Sequence, residues 1–586
     1  MQKKNQQTST ITRVFPFLAW FKTYQSAYLK GDAIAGLTVA VVLIPQAMAY
    51  AMLAGLPPVY GLYAGAVTPL IGALWGSLRQ LATGPIAIMS LLVLTTLTPI
   101  AEPGSPEFIK LSFLLAFLVG SIYLLVGIFR LGLIMSFISH SAVKGFTSAA
   151  SLIIISTQLP HLFGIRIERH EYMFPKLLAI IQALPGLNLP TLGIGVLALG
   201  IIYGIKKFKP NFPGALVGLV VTTLLVYFLK LNESGVAILG KNQGGLPTPA
   251  LPPFDFDMLF YLTGPAVVLA LVSFAETYSV GKSVSAETKQ KLDVDQEFIG
   301  QGIANLVGSF FQCYPVSGSF SRTAINFASG ARTGISSAIT TFSVIITLLF
   351  LTPLLTYIPK AALAALIITA VLMLFHPREV FRLWKMNRHD GIVAICVFTL
   401  SLLSKPDYAL LIGILMSLVF FLWKTMRPRI VKIAKDPDLN MFVNADLFEK
   451  PGCPQILHLR SDNSIYFANA EYTVEHILER MEGVDTPVKF LLLDFQAMAF
   501  IDITGIEELR VLHEETRSKG IELALMEIHI PVREVMQSSG FLAEMNPELL
   551  LQKRGEAITV LFKHLDHDYC KNVCPHTLFF ECKTVK

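Results

Sequence analysis

The amino-acid sequence predicts a polytopic α-helical membrane protein with a small α/β domain at its C-terminal end. Of its 586 residues, 53% are hydrophobic and only 15% are charged, and charged residues become frequent again after about residue 427. Soluble domains carry about 25% charged residues, so this composition excludes an ordinary soluble enzyme and extensive disorder. The net charge of +6 is too small to indicate a nucleic-acid partner and fits basic cytoplasmic loops.

A membrane-spanning helix needs about 20 mostly apolar residues. Twelve stretches meet this requirement: 33–53, 59–76, 111–130, 141–160, 190–207, 213–231, 262–281, 293–311, 335–357, 361–376, 389–404 and 407–425. Two further apolar stretches, 86–97 and 320–328, are too short to span and follow Gly-containing turns. Short, interrupted segments at matching places in two halves of a chain indicate the binding site of a transporter.

The two short segments occupy equivalent positions in an internal repeat. Gln46 precedes Gly84 by 38 residues, and Glu276 precedes Ser319 by 43 residues. Each half then contains seven segments, an odd number, so the second half must be inverted in the bilayer. The sequence therefore predicts 14 segments in two inverted repeats of seven.

Composition divides the chain into five parts. They are a cytosolic N-terminal segment (1–30), a membrane domain (31–427), a linker (428–440), an α/β domain (441–563) and a tail containing Cys and His (564–586). Lys and Arg are concentrated in loops that this topology places inside, so both termini are predicted to be cytoplasmic. The Cys/His spacing of the tail matches no common zinc finger, and no phosphate-binding P-loop occurs, so we expect no metal and no cofactor.

The N-termini of the two short helices are predicted to form an anion site. A helix N-terminus has unpaired N–H groups and a partial positive charge, and it binds anions when it is buried. Arg322 lies on the first turn of the second short helix, although it could instead reach an interface or pair with an acidic neighbour. The predicted anion-binding residues are Gln46, Tyr50, Ala87, Ser319, Phe320, Ser321 and Arg322, and the predicted turns contain Gly84, Pro85 and Gly318.

Gln46 and Tyr50 are four residues apart and therefore share one helix face. Polar side chains so deep in an apolar span either line a cavity or hydrogen-bond to a neighbouring helix. The first alternative makes both residues substrate contacts.

Glu276 lies well inside the eighth predicted span. An ionised carboxylate is costly there, so this residue should carry a proton or have a partner. Proton uptake would lower the electrostatic cost of a nearby anion, which gives proton symport a physical basis. The alternatives are a permanent ion pair with Arg322 and a sodium site assisted by Ser273 and Thr277.

In the α/β domain, Thr504 and Glu507 stand at the start of a predicted helix that follows a strand. Their spacing fits a capping box. A phosphate is also favourable at a helix start, so Thr504 is a candidate phosphorylation site.

These segments resemble the SulP sulfate permease family, the solute-carrier 26 group of animals. The resemblance rests on Leu43–Tyr63, Ala82–Pro85, Ser273–Ser279 and Tyr314–Asn326, and residues 502–509 are similar to a STAS domain. It implies core and gate subdomains, an elevator-type movement, a homodimer, and an anion between the third and tenth segments, near Ala87 and Ser321. It also implies proton symport through Glu276, since the sodium–bicarbonate members have Asp at that position.

The leading hypothesis is proton-coupled secondary transport of a small inorganic oxyanion, most simply sulfate, across a plasma (inner) membrane. Alternatives are bicarbonate, chloride or dicarboxylate uptake or exchange, an anion channel, and a membrane-anchored signalling protein with the STAS domain as its output. A mere anchor has no need for Glu276 and Arg322 in the middle of the bilayer.

Overall fold

The computed structural model of the chain describes residues 15–22, 24–132, 139–168, 170, 172–209, 212–240, 245–404, 406–436, 441–484 and 486–585. These residues form two compact units that divide between Ser417 and Leu418. Eight of the described helices are long and apolar enough to cross a membrane. The predicted polytopic helical architecture is confirmed. Residues 1–14 and 23 of the predicted N-terminal segment, and residues 437–440 of the predicted linker, lie outside the described residues.

The first unit is helical, apart from two very short strands. Its first helices are α1 (Phe17–Lys22), α2 (Tyr28–Leu53), α3 (Pro58–Trp75), α4 (Ala87–Leu97), α5 (Pro106–Ile128), α6 (His140–Phe163), α7 (Met173–Ala183), α8 (Leu189–Phe208) and α9 (Gly214–Phe228). They continue with α10 (Phe256–Thr288), α11 (Val294–Phe310), α12 (Phe320–Ala328), α13 (Ile335–Ile346), α14 (Thr352–Leu355), α15 (Lys360–Val371), α16 (Pro377–Met386), α17 (Arg388–Leu403) and α18 (Pro406–Met426).

Helices α4 and α12 are the two short segments expected from the sequence. They contain 11 and 9 residues. At a rise of about 1.5 Å per residue, each covers roughly half of a hydrocarbon core of about 30 Å. They are therefore too short to span a membrane, as expected for half-helices.

Three features of this unit differ from the predicted spans. Helices α7 and α16 lie outside the predicted spans. Helix α7 has only 11 residues, and α16 is amphipathic with charged residues, although it continues the apolar α15 within the candidate span Lys360–Met386. The span predicted at 335–357 contains a π-helical stretch (Thr347–Leu351) between α13 and α14. A π-helical stretch is defined by its backbone hydrogen bonds, which hydropathy does not predict.

The second unit is built on a six-stranded sheet. Its strands are β3 (Ile430–Asp436), β4 (Met441–Asn444), β5 (Ile456–Ser461), β6 (Phe490–Asp494), β7 (Glu522–Met526) and β8 (Leu550–Leu551), in the spatial order β4-β3-β5-β6-β7-β8. Strand β3 is antiparallel to both of its neighbours, and β5 through β8 are parallel. The predicted small α/β domain is therefore confirmed.

Helices cover both faces of this sheet. They are α19 (Ala470–Glu482), α20 (Ile503–Ser518), α21 (Ile530–Ser538), α22 (Phe541–Glu544), α23 (Arg554–Phe562), α24 (His567–Asn572) and α25 (Cys582–Val585). Helices α19, α20 and α21 bury their apolar side chains in one core. Helix α23 and the segment that follows it form the second core, on the opposite face.

The structure corrects the sequence reading at both ends of this domain. Strand β3 lies within the range predicted as a linker, because Ile430, Val431, Ile433 and Ala434 are buried although Lys residues alternate with them. The tail predicted beyond residue 563 is also packed, since Cys570 and Phe579 are buried in the second core. The sheet and its helices therefore extend beyond 441–563.

The capping box predicted at Thr504 is wrong. Helix α20 begins at Ile503, two residues earlier than this capping box requires, and the carboxylate of Asp502 is its cap, accepting a hydrogen bond from Gly505 N at 2.9 Å. Glu507 instead forms an ion pair with Arg510 at 2.6 Å. Asp is as good a cap as Thr, and the spacing alone could not decide between them. Thr504 is exposed on the first turn of the helix.

Candidate functional site

The two half-helices meet at their N-terminal ends through a pair of two-residue strands. Strand β1 (Thr83–Gly84) precedes α4, strand β2 (Ser317–Gly318) precedes α12, and the two strands are antiparallel. Ser319 N extends the pairing by donating a hydrogen bond to Ala82 O at 2.9 Å. This pairing brings the N-termini of α4 and α12 together.

Glycine is required in these strands for two reasons. Gly84 has a φ of +154°, and a Cβ there would lie 3.2 Å from Nη2 of Arg322. A Cβ on Gly318 would lie 3.1 Å from Oγ1 of Thr277. A side chain at either position would therefore push against groups of the site itself.

Backbone N–H groups remain available at both helix starts. No side chain caps α4, and its first intrahelical bond runs from Ser90 N to Ile86 O, so the N–H groups of residues 87–89 have no partner within the helix. In α12 the cap is Ser319, whose Oγ accepts from Arg322 N at 3.4 Å. Two sets of N–H donors and two partial positive charges therefore lie close together.

Arg322 is the most unusual residue of this region. Its side chain is 1% exposed, and Nε, Nη1 and Nη2 have no hydrogen-bond partner among the described residues. It forms no ion pair with a described carboxylate, so the alternative of a permanent Glu276–Arg322 pair is not realised in this structure. A buried guanidinium without a protein partner is costly, and an anion is the ligand that would offset that cost.

Glu276 lies on α10, which packs against β2 and both half-helices. The next residue fastens the two elements together: Thr277 Oγ1 accepts from Gly318 N at 3.1 Å and is 2.8 Å from Ser317 Oγ. Glu276 is half-buried, and its Oε2 is buried without a described partner. The structure thus brings the carboxylate into the same region as the helix N-termini without an ion pair to Arg322.

Gln46 and Tyr50 are buried on α2, which contacts both half-helices. Oε1 of Gln46 has no hydrogen-bond partner among the described residues, so no helix–helix bond uses this atom. Tyr50 lies one helical turn after Gln46, on the same face of α2. Both side chains therefore lie on the helix that packs against the two half-helices.

The other predicted residues differ in accessibility. Ala87 and Ser319 are buried at the helix starts, and Ser321 is half-buried with its Oγ 3.5 Å from that of Ser319. Phe320 is 53% exposed and points away from the protein interior. Its side chain can contact a ligand only from the open side of the site.

Sequence reasoning missed two pairs of hydroxyl groups. Tyr314, which is fully buried, lies 3.2 Å from Ser90 Oγ of α4, so it links the segment before β2 to the first half-helix. Tyr123 of α5 hydrogen-bonds to Ser273 of α10. The available signal was weak: each is a single hydroxyl in an apolar stretch, and its partner is distant in the chain.

No group of three or more His, Cys, Asp or Glu side chains in the described part of the chain is arranged to hold a metal ion. Four cysteines, Cys453, Cys570, Cys574 and Cys582, line a small pocket of the second core and form no disulfide bond with one another. The chemistry of the first unit therefore depends on helix ends, hydroxyls, one guanidinium and one carboxylate.

Comparisons with known proteins bear on the family of the chain and on its fold. The profile described as "Sulfate permease family" matches residues 29–397, and the STAS domain profile matches residues 447–555. Among similar proteins, sulfate transporter 4.1 (chloroplastic) of Arabidopsis thaliana is 33% identical over 96% of this chain and 84% of its own length. High affinity sulfate transporter 1 of Stylosanthes hamata is 32% identical over 87% of this chain and 80% of its own length.

Solved structures share the fold. Murine solute carrier 26 family member A9, described as an anion transporter in the inward-facing state, has a TM-score of 0.86 at 24% identity and covers 97% of both chains. The transmembrane domain of the cyanobacterial bicarbonate transporter BicA has a TM-score of 0.57 at 23% identity, covering 67% of this chain and 98% of that domain. At these identities the likeness concerns the fold alone.

Proposed function

The chain belongs to the sulfate permease family, and from this premise we propose that it is a secondary active transporter of a small inorganic oxyanion, sulfate, coupled to proton symport. It is a multi-pass membrane protein of a transporter family and not an enzyme. The substrate is proposed because relatives at 32–33% identity that span most of the chain are named sulfate transporters. The coupling is proposed from the residues of the site.

The proposed architecture has 14 segments in two inverted repeats of seven, divided into core and gate subdomains that move by an elevator mechanism. The half-helices α4 and α12 are the third and tenth segments. Their antiparallel strands β1 and β2 support a two-fold relation within the membrane plane. Both termini are proposed to be cytoplasmic, in a plasma (inner) membrane, and the working unit is a homodimer. Residues 31–427 form the transport domain, and the STAS domain follows from β3.

The single observation that carries the function is the buried, unpartnered guanidinium of Arg322 beside two opposed helix N-termini. Such a site selects negative charge through N–H donors and a fixed cation in a region of low dielectric constant. The proposed anion ligands are the N–H groups at Ala87 and Ser321, the hydroxyls of Ser319 and Tyr50, and Gln46. Phe320 would close the exposed side.

Glu276 is the proposed proton carrier. An ionised carboxylate next to a bound dianion would oppose its binding, whereas a protonated one would not. Anion binding and proton uptake are therefore coupled in the same direction, which is the requirement for symport. The absence of an ion pair between Glu276 and Arg322 among the described residues leaves the carboxylate free to take up a proton.

Uptake of labelled sulfate into proteoliposomes tests the proposal. An inward gradient of one pH unit supplies about 1.4 kcal/mol per proton, enough for about tenfold accumulation with one proton per sulfate. Glu276→Gln should abolish this accumulation while sulfate binding remains measurable. Glu287→Gln is the matched control, because Glu287 is an exposed carboxylate near the end of the same helix.

Uptake that ignores the proton gradient would refute symport, and a sodium gradient that drives it would identify a sodium-coupled carrier. Competition by bicarbonate, chloride and dicarboxylates at the same site would identify a different principal substrate. Full accumulation by Glu276→Gln would remove this residue from the coupling mechanism.

A further inference from the structure

Helix α11 carries three buried polar side chains on one face, at four-residue intervals. Glu297 and Asn305 are each 1% exposed, and Gln301, between them, is fully buried. Residues four apart lie one above the other on a helix, so the three side chains form a single line along α11. We call this line the α11 ladder.

Glu297, the first residue of the α11 ladder and here called its first rung, binds the segment that follows α3. The carboxylate of Glu297 accepts hydrogen bonds from the N and Oγ of Ser77, both at 2.9 Å, and from Leu78 N at 3.3 Å. Nε2 of Gln301 also donates to the carboxylate, at 3.4 Å. The hydrogen bonds to the Glu297 carboxylate therefore fix the segment that leads from α3 to β1.

The second rung holds β1 itself. Nε2 of Gln301 donates to Oγ1 of Thr83 at 2.9 Å. Thr83 is the first residue of β1 and lies four residues before Ala87, where α4 begins.

The third rung holds the segment before β2. Oδ1 of Asn305 accepts from Val316 N at 2.9 Å, and its Nδ2 donates to Val316 O at 3.1 Å, so the amide engages both backbone groups of one residue. Val316 lies four residues before Phe320, where α12 begins. Both half-helices are therefore fixed to α11 at the same distance along the chain from their N-termini.

We infer that Gln301 and Asn305 are positioning residues that set the separation of the two half-helix N-termini and thereby the size of oxyanion that the site prefers. This inference rests on the proposed function, and it concerns groups that do not touch the anion. Glu297 anchors the ladder at one end, and the packing of α11 against α5 and α3 keeps it rigid.

The physical argument depends on the rigidity of the anion site. N–H donors must lie about 2.7–3.2 Å from the anion oxygens, so a shift of a few tenths of an ångström changes which ionic radius fits best. A buried hydrogen-bonding group left without its partner costs about 1–3 kcal/mol, and the strands can move to lower that cost. Loss of a rung should therefore broaden the size preference of the site.

The test compares tetrahedral dianions of increasing size, namely sulfate, selenate and molybdate. Their dissociation constants are measured by competition against labelled sulfate in one preparation, so the ratio of constants does not depend on the fraction of folded protein. Gln301→Met and Asn305→Leu should each reduce the preference for sulfate over molybdate about three- to tenfold, the equivalent of a partial loss of one buried hydrogen bond.

The matched control is Ser141→Ala, which removes a hydrogen bond of 3.0 Å between Ser141 Oγ and Asp390 Oδ1. That bond joins α6 to α17 and does not involve the half-helices, so the preference should stay at the wild-type value. Thr83→Val removes the acceptor of the second rung, and combined with Gln301→Met it should add nothing further. An unchanged preference in both ladder variants, or additive effects in the double variant, would overturn the inference.

Failure of the proposed function would look different. If the wild-type protein binds none of these dianions, the proposed function is wrong. Amide hydrogen exchange then tests the positioning role of Gln301 and Asn305 separately. Gln301→Met and Asn305→Leu should speed exchange in residues 82–90 and 316–324 relative to the wild type and to Ser141→Ala. Unchanged exchange in these two segments would refute the positioning role.

Discussion

Replacing Arg322 by Gln should weaken anion binding and at the same time stabilise the ligand-free protein. At an effective dielectric constant of about 20 and a separation of about 5 Å, a unit charge on the guanidinium attracts a unit charge on the anion by about 3 kcal/mol. Water that enters the site recovers part of that loss, so we expect sulfate affinity to fall about 10- to 100-fold. Stability rises because the guanidinium is 1% exposed and has no partner among the described residues.

Titration calorimetry with purified protein gives the affinity, and thermal unfolding without sulfate gives the stability. Arg322→Lys keeps the charge and should retain more affinity than Arg322→Gln. Arg332→Gln is the control, since Arg332 is exposed and contributes only its backbone N–H to the contact with Asp32. If Arg322→Gln binds sulfate like the wild type, Arg322 does not contribute to the anion site.

Three further predictions concern other residues. Gly84→Ala should lower both the stability of the protein, by about 1–2 kcal/mol, and its affinity for sulfate, because the positive φ of Gly84 is unfavourable for Ala and the new Cβ crowds Arg322. Gly104 also has a positive φ, but a Cβ there would meet open space, so Gly104→Ala should leave the affinity unchanged. Asp502→Ala should destabilise the STAS domain by about 1–2 kcal/mol in urea unfolding, because Asp502 caps α20 and also accepts from Phe467 N at 2.8 Å; an unchanged midpoint would contradict the capping role. Burial raises the pKa of Cys453 to about 11, so its alkylation rate should still increase strongly between about pH 10 and pH 11; a plateau by about pH 10 would show an ordinary exposed thiol.

Phosphorylation of Thr504 remains a proposal that the structure makes concrete. Thr504 is exposed on the first turn of α20, where a phosphate is favoured by the helix dipole. Mass spectrometry of the protein purified from its native cells should find the phosphate on this residue, and its absence under all growth conditions would remove Thr504 from regulation.

Sequence reasoning located the helices well because the length of an apolar segment is a local property. The half-helices are a clear case: the segments predicted at 86–97 and 320–328 are α4 (Ala87–Leu97) and α12 (Phe320–Ala328). The short length and the Gly residues before each segment were sufficient, since both follow from residues close together in the chain.

Long-range contacts could not be read in the same way. The pairing of Tyr314 with Ser90, and of Gln301 with Thr83, joins residues more than 200 positions apart. The sequence shows a polar side chain in each place but not its partner. Strand β3 was missed for a related reason, because its burial depends on the strands that pair with it rather than on its own composition.

The crossing of β1 and β2 also has a consequence for biosynthesis. Thr83 pairs with Gly318, so the partner of the first strand is made 235 residues later. At about 5–20 residues per second, the ribosome needs roughly 12 to 47 s to supply it. During that interval the nascent N-terminal half must keep an unpaired polar backbone inside the bilayer, which is unfavourable. A chain cut between the two strands should therefore be retained by membrane chaperones or degraded, and co-expression of the missing half should rescue it.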